Sequence, residues 1–218
     1  MVDIALLNYL ETLITEERKK RFMEVLSERT NFLTIVMEDV YQLHNTSAVL
    51  RSCDVFGIQN LHVIETRFGD RLDKNIAMGA EKWVDLSRHD NVRNCLADLR
   101  SKGYSIVATT PNVDGILIDE FKLEKPTALF FGTEKEGLSK EVLNNADQLI
   151  RIPMLGFTES LNISVSVAII LFEMSKKLRA SAIEWNLSEE EVLEKRLDWS
   201  KKSIKSIDQI IMRFYKKQ

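Results

Sequence analysis

The stretch Thr127-Ala128-Leu129-Phe130-Phe131-Gly132-Thr133-Glu134-Lys135-Glu136-Gly137-Leu138-Ser139-Lys140-Glu141-Val142 decides the fold. Five apolar or β-favouring residues end at a glycine, a polar loop runs between two glycines, and Ser139 stands where a cap opens a short helix. Residues 148–152 then read as another strand, so the segment spells strand, helix, strand. Working outward repeats the theme. Residues 32–40, 61–64 and 104–108 read as strands. Asn45 starts a helix whose Ala48, Val49, Cys53 and Phe56 share one face, with Gly57 as its stop signal. Val92, Cys95, Leu96 and Leu99 make a second amphipathic helix, closed by Gly103. Residues 67–83 lack periodicity and read as loop with some helix. From 161 to about 180 apolar residues nearly encircle a helix, which predicts burial against the sheet. Strands alternating with helices predict an α/β fold with a largely parallel sheet and helices on both faces.

Both ends read as helix. In Thr15-Glu16-Glu17-Arg18-Lys19-Lys20-Arg21-Phe22 the acids precede the bases, as a helix dipole favours, and Ser188-Glu189-Glu190-Glu191 is a capping box. The expected organisation is an N-terminal helical extension over 1–30, an α/β domain over 31–180, and a C-terminal helical extension over 181–218.

The 218 residues, 44% hydrophobic, suffice to bury a core, and with 8 glycines and 3 prolines no long flexible linker is expected. No signal peptide is visible, and the longest apolar run, residues 165–172, is far below the roughly 18 residues that span a bilayer. Two cysteines, Cys53 and Cys95, and three histidines, His44, His62 and His89, are few and scattered; no zinc site is expected, and buried thiols suit a reducing cytoplasm. The net charge of −3 is unevenly placed: residues 195–218 carry +6 and the preceding 194 carry −9. A basic tail on an acidic body either docks RNA through a local cluster or is a solvated helical face. Trp185, Trp199, Phe214 and Tyr215 either stack on bases or pack on the body, and the apolar residues among them favour packing.

Three predicted strands end in ligand-suited segments: Ala108 into Thr109-Thr110-Pro111, Phe131 into Gly132-Thr133-Glu134, and Ile152 into Pro153-Met154-Leu155-Gly156. Ligands of open α/β sheets gather outside the carboxyl ends of strands. These tips offer apolar side chains and backbone amides with little positive charge, which suits an adenine ring and a methionine moiety better than a triphosphate. Residues 132–139 spell GxxxxGLS, but Leu138 stands where a phosphate-binding P-loop needs lysine, so an NTPase is rejected. No GxGxxG follows any predicted strand, which argues against a dinucleotide-binding enzyme.

Three stretches in this order, Asn45-Thr46-Ser47-Ala48-Val49-Leu50-Arg51, residues 131–139, and Ile152-Pro153-Met154-Leu155-Gly156 running into Ser160-Leu161-Asn162-Ile163-Ser164, resemble the three motifs of the SpoU/TrmH family of RNA ribose 2′-O-methyltransferases. The likeness runs from about Thr15 to the C-terminus, and the basic stretch and the Ser188 helix resemble its tRNA guanosine branch. It implies a trefoil-knotted α/β domain working as a homodimer with a composite site, S-adenosyl-L-methionine as cofactor, and guanosine 18 of the tRNA D-loop as target. Ribosomal RNA as substrate, or a non-catalytic RNA-binding protein on the same fold, are the alternatives. By resemblance Thr109, Gly132, Ile152 and Leu161 match cofactor-contacting positions, with Met154 nearby. Arg51 matches the arginine beside the target ribose, Glu134 the motif glutamate that anchors it or its loop, and Asn45, Ser160 and Asn162 the supporting polar groups. Asn45 and Asn162 also read as helix caps. On its helix Arg51 points about 160–200° from the apolar stripe, with Ser47 and Asp54 as polar neighbours. Its role is either that of the base or of a clamp on phosphate and developing alkoxide charge. Arg18, Lys19, Lys20 and Arg21, with Lys201 and Lys202, are the expected RNA contacts; no metal is implied.

Overall fold

A computed structural model describes residues 2–39, 43–65, 72–112, 114–133 and 136–216. Its strands are β1 (Leu33–Glu38), β2 (Asn60–Ile64), β3 (Asp85–His89), β4 (Ser105–Thr109), β5 (Ile116–Leu117), β6 (Thr127–Phe131) and β7 (Gln148–Arg151). The α-helices among the described residues are α1 (Ile4–Glu11), α2 (Glu16–Leu26), α3 (Leu43–Phe56), α4 (Lys74–Ala77), α5 (Val92–Ser101), α6 (Lys140–Asn145), α7 (Ile163–Ala180), α8 (Glu189–Ser203) and α9 (Ile207–Lys216). The chain divides into two compact units, a central one of Thr30–Trp185 and a terminal one that joins Met1–Arg29 to Asn186–Gln218.

In the central unit all strands pair in parallel in one seven-stranded sheet of order β3-β2-β1-β6-β4-β7-β5. β1 and β6 are buried along their whole length, because helices cover both faces. Alternation along β1 shows how. Leu33, Ile35 and Met37 join Val49, Cys53, Val167 and Leu171 of α3 and α7 in one core, while Val36 joins Cys95, Leu99 and Val142 of α5 and α6 in the other. Both cysteines are buried and outside any disulfide, as expected. Burial pushes the Cys95 thiol up to about 12.

Two strands escaped the sequence reading. β3 is polar but for Leu86 and half-buried at the sheet edge, and β5 is two residues long, so neither carries an alternating apolar signal. Two further expectations need correction. α7 does not bury its whole circumference: Ile163, Val167, Ile170, Leu171, Met174 and Leu178 are buried, but Val165 and Phe172 are 44% and 60% exposed. Nor do the histidines and cysteines stay scattered, because His62, His89 and Cys95 converge in the second core.

Asp147, just before β7, clamps this second layer. It receives forked hydrogen bonds from Arg100 of α5 at 2.6 and 2.9 Å, and also the Ser105 hydroxyl at 3.0 Å and the Ile106 N–H at 2.7 Å from β4. Partial burial works to raise its pKa, but Arg100, the Ile106 N–H and the Ser105 hydroxyl outweigh it and hold the carboxyl below its ordinary 3.8.

In the terminal unit, Asp3, Thr15 and Ser188 cap α1, α2 and α8, the last with the reciprocal Glu191 of the expected capping box. Leu6, Leu7, Leu10, Phe22, Leu26 and Trp199 are buried. Trp199 meets Phe22 edge-on at 5.5 Å and lies under the Arg29 guanidinium at 5.6 Å. Arg196 forks onto Glu11 at 2.9 and 2.8 Å, tying α8 to α1. Phe214 stacks on Tyr9 at 5.0 Å, and the Tyr215 hydroxyl donates to Asp3 at 2.6 Å. Trp199, Phe214 and Tyr215 are thus engaged in packing within this unit. No described helix is long and apolar enough to cross a membrane.

The depressed Asp147 carboxyl stabilises the fold above pH 3.8, where the unfolded chain also ionises, and that contribution fades as pH falls through the lower folded value. Asp147→Asn is expected to lower the unfolding temperature at pH 7 and to lose less between pH 5 and pH 3 than the parent does, as thermal melts across that range will show.

Candidate active site

The carboxyl ends of β6, β4 and β7 lie side by side in the sheet. The segments leaving them, together with the start of α7, enclose a cleft of about 350 Å³, a size that suits a nucleoside-like ligand. Thr109, Gly132, Ile152, Met154, Ser160 and Leu161 all line it, with Leu138, Ile163 and Ile170 as apolar walls. The three strand tips that the sequence reading expected to share one ligand therefore form one cavity. Among the described lining residues Arg151 is the only cation, and its Nε donates to the Gly115 carbonyl at 2.9 Å. Leu138 is buried in the second core, where the lysine of a phosphate-binding loop would have to reach out. Among the described residues the lining thus carries one cation, tied at its Nε, and no lysine in the place a phosphate-binding loop needs it.

Gly132 sets the shape of the cleft. Thr133 and Gly137 bond reciprocally through their backbones at 3.1 and 3.0 Å, folding the chain back on the β6 tip. A Cβ on Gly132 would stand 2.1–2.3 Å from the backbone of Gly137 and Leu138, so no side chain fits there. Gly137 turns the loop with a φ of +70°. The far end of the loop is fixed from beneath: Glu38, buried at the end of β1, accepts the Ser139 N–H at 2.8 Å, and Ser139 caps α6. The sequence reading missed Glu38; the available signal was a carboxylate, followed by Asp39, at the end of an apolar strand. Thr109 spends its hydroxyl proton on the Phe130 carbonyl at 2.8 Å, pinning β4 to β6 at their tips. Glu134 lies outside the described residues.

Asn45 and Asn162 meet where α3 packs on α7. Asn162 caps α7 by accepting the Ser164 N–H at 2.9 Å and donates its amide to Asn45 Oδ1 at 3.3 Å. Asn45 is not a cap, because α3 already begins at Leu43; it is buried within the first turn. Ser47 is likewise not on an open polar face. It is fully buried and its hydroxyl oxygen accepts the Asp73 N–H at 2.9 Å. Arg51, one turn further along α3, is exposed, and no partner holds its guanidinium among the described residues. It does not line the cleft.

The expected RNA contacts lie in the terminal unit. Arg18 and Lys20 are exposed on α2, while Lys19 pairs with Glu16 at 2.6 Å and Arg21 with Glu24 at 3.3 Å. On α8, Lys202 pairs with Asp198 at 2.6 Å, and Lys201 is half-buried without a paired carboxylate among the described residues. Surface pairs of this kind cost little to exchange for phosphate contacts.

A parallel α/β sheet with a weakly charged cleft at three adjacent strand tips, one closed by an obligate glycine, defines a ligand-binding domain of the methyltransferase kind. The chain belongs to the SpoU rRNA Methylase family, whose pattern matches residues 32–172. It is 41% identical over 197 residues to a tRNA (guanosine(18)-2′-O)-methyltransferase of Borreliella burgdorferi, covering 90% of each chain. A Thermus thermophilus protein of the same name is 38% identical over 86% of this chain and 98% of its own. Among solved structures, the Aquifex aeolicus TrmH/SpoU tRNA modifying enzyme superposes with a TM-score of 0.79 at 34% identity, over 87% of this chain and 98% of that one.

Gly132→Ala is expected to lower unfolding free energy by about 2 kcal/mol or more through overpacking against backbone. Gly156→Ala, which meets nothing nearer than the Thr158 nitrogen at 4.0 Å, serves as the neutral control in the same urea titrations.

Proposed function

We propose that this protein transfers the methyl group of S-adenosylmethionine to the ribose 2′-oxygen of guanosine 18 in tRNA. The observation that carries the reading is the cleft itself: apolar walls, backbone amides and an obligate glycine at the tips of β4, β6 and β7 in a chain that belongs to this family. Gly132, Thr109, Ile152, Met154 and Leu161 hold the cofactor, which supplies a methyl group already activated by sulfonium charge, so transfer itself needs no metal. The tRNA assignment is favoured over ribosomal RNA because the likeness to the two tRNA enzymes extends beyond residues 32–172 into the terminal helices.

Arg51 is the residue assigned to the reacting ribose. A guanidinium keeps its proton under ordinary conditions, so we assign it charge stabilisation and phosphate clamping in preference to proton abstraction. As the oxygen–methyl bond forms and the sulfur–methyl bond breaks to leave S-adenosylhomocysteine, the 2′-hydroxyl proton passes to a tRNA phosphate oxygen and on to solvent. Its freedom from ion pairs among the described residues leaves it available to substrate. The Asn45–Asn162 pair joins the start of α7, which carries the cleft residues Ile163 and Ser166, to the first turn of α3, which carries Arg51. Glu134 is assigned to anchoring Arg51 or its loop, and Ser160, at the cleft rim, to orienting the sugar. Orientation of this kind is a large part of the rate in group transfer. Arg18, Lys19, Lys20, Arg21, Lys201 and Lys202 supply sequence-independent attraction to the tRNA backbone.

The same reading includes a trefoil knot in the central unit and a cytoplasmic homodimer with a composite site. Its support is an apolar face that one copy leaves uncovered. Val165, Ile169 and Phe172 of α7 are exposed, as is Val55 of α3 at 70%, while Phe172 meets Phe56 edge-on at 6.3 Å.

Labelled methyl transfer to tRNA transcripts tests the activity. The intact D-loop guanosine should be labelled and a transcript lacking it should not; equal labelling of both removes the position. Arg51→Ala should cut turnover by about 10²–10³-fold or more while S-adenosylhomocysteine at 100 times its Kd still stabilises the variant by about 2.7 kcal/mol. Turnover that survives the change removes Arg51 from its role. Sedimentation equilibrium tests the assembly: the parent should be a dimer and Phe172→Glu a monomer without transfer activity. A monomeric parent rules the dimer out.

A further inference from the structure

Away from the cleft, the second core holds a constellation that methyl transfer does not use. His62 on β2, His89 on β3 and Cys95 on the first turn of α5 bring two imidazole nitrogens and a sulfur within 4.8 Å of one another. His62 Nδ1 and His89 Nε2 are 2.9 Å apart, and the rings stack with centroids 5.2 Å apart at 22°. The β2–β3 register pairs His62 with Ser87 and Ile64 with His89, so the imidazoles are diagonal neighbours on one face of the sheet. α5 lies over that face, with Cys95 fully buried among Val92, Leu96 and Leu99.

We propose that His62, His89 and Cys95 form a binding site for a borderline-soft divalent transition metal, Zn²⁺ in the first place, which clips α5 to the β2–β3 edge of the sheet. This goes beyond the methyl-transfer reading and does not depend on it. The donor set is the first argument. Two imidazole nitrogens and one thiolate are the ligands zinc takes, whereas calcium and magnesium demand oxygen. Geometry is the second. Zinc–nitrogen and zinc–sulfur bonds of about 2.0–2.3 Å put the donors of a tetrahedron about 3.3–3.7 Å apart. Donors already within 4.8 Å, carried on two paired strands and a helix start, need shifts of about 1 Å. Burial is the third, since His62 is only 3% exposed and Cys95 is fully buried, beside an apolar cluster that shields a metal–ligand bond from water, with Asp98 and Lys102 as the charged neighbours. His89 is less buried, on the edge strand, and gives the metal its entry and its fourth, solvent ligand.

Binding balances simply. Without metal, one proton lies between His62 Nδ1 and His89 Nε2. The cation takes its place, that proton moves to the other nitrogen of the ring that bore it, and the Cys95 thiol releases its proton to solvent. Both imidazoles stay neutral and the sulfur becomes a thiolate.

The test uses the full chain, freed of any expression tag, stripped with chelator and titrated with Co²⁺ as a spectroscopic stand-in. One equivalent should bring the visible bands of tetrahedral cobalt and a near-ultraviolet sulfur-to-cobalt band, and Zn²⁺ should bleach both and raise the unfolding temperature. Cys95→Ser should lose the sulfur band, and Cys53→Ser should keep it. His89→Gln, on the exposed side, should weaken cobalt binding at least tenfold with its circular dichroism and methyl transfer unchanged, which keeps the test decisive should Cys95→Ser fail to fold. Absence of the sulfur band in the parent at saturating cobalt overturns the proposal and leaves a hydrogen-bonded histidine pair beside a buried thiol. Equal cobalt affinity in the parent and His89→Gln overturns it too.

Discussion

The backbone of Gly137 and Leu138 passes so near the α-carbon of Gly132 that even a methyl group has no room. Much else follows from that approach. It lets the chain leaving β6 double back through the Thr133–Gly137 bridge and roof the ends of the sheet instead of running off into solvent. With the roof in place, Leu138 can turn inward to the second core and Ser139 can cap α6, while Glu38 holds the far end from below. A buried carboxylate is costly unless its oxygens are used, and the Ser139 N–H at 2.8 Å is one such use. The cleft is thus framed by main chain, and its shape is independent of side-chain rotamers at its narrowest point.

The two faces of the sheet have different tasks. The face under α3 and α7 joins the Asn45–Asn162 pair to the cleft and carries the uncovered apolar stripe. On the opposite face, Arg100 fastens α5 to Asp147 and to the Asn145 carbonyl of α6, and further along the His62–His89 pair joins β2 to β3 beside Cys95.

What could be read from the amino acids divides along the same physical lines. Strands buried on both faces, such as β1 and β6, announce themselves as apolar runs, and α5 and the Ser188 cap carry local signals strong enough to stand alone. The strand tips were legible as turns, and their convergence in one cleft follows from the order β6-β4-β7, which no local pattern states. β3 was hidden because a half-buried edge strand can manage with a single apolar residue, here Leu86. Ser47 was assigned to an open face because helical geometry cannot foresee Asp73 arriving to cover it. The all-round apolar pattern of α7 was real, but one chain supplies partners for only part of it.

The terminal unit is assembled from the first 29 residues and the last 33, with the 156 residues of Thr30–Trp185 between them. During synthesis α1 and α2 leave the ribosome before the central unit, yet the tryptophan that Phe22 packs on, and the arginine that Glu11 grips, are made after it. At about 5–20 residues per second the nascent helices wait roughly 8–30 s for their counterpart. The central sheet has that interval in which to form before the ends can close, and trimming either terminus strips the same small core.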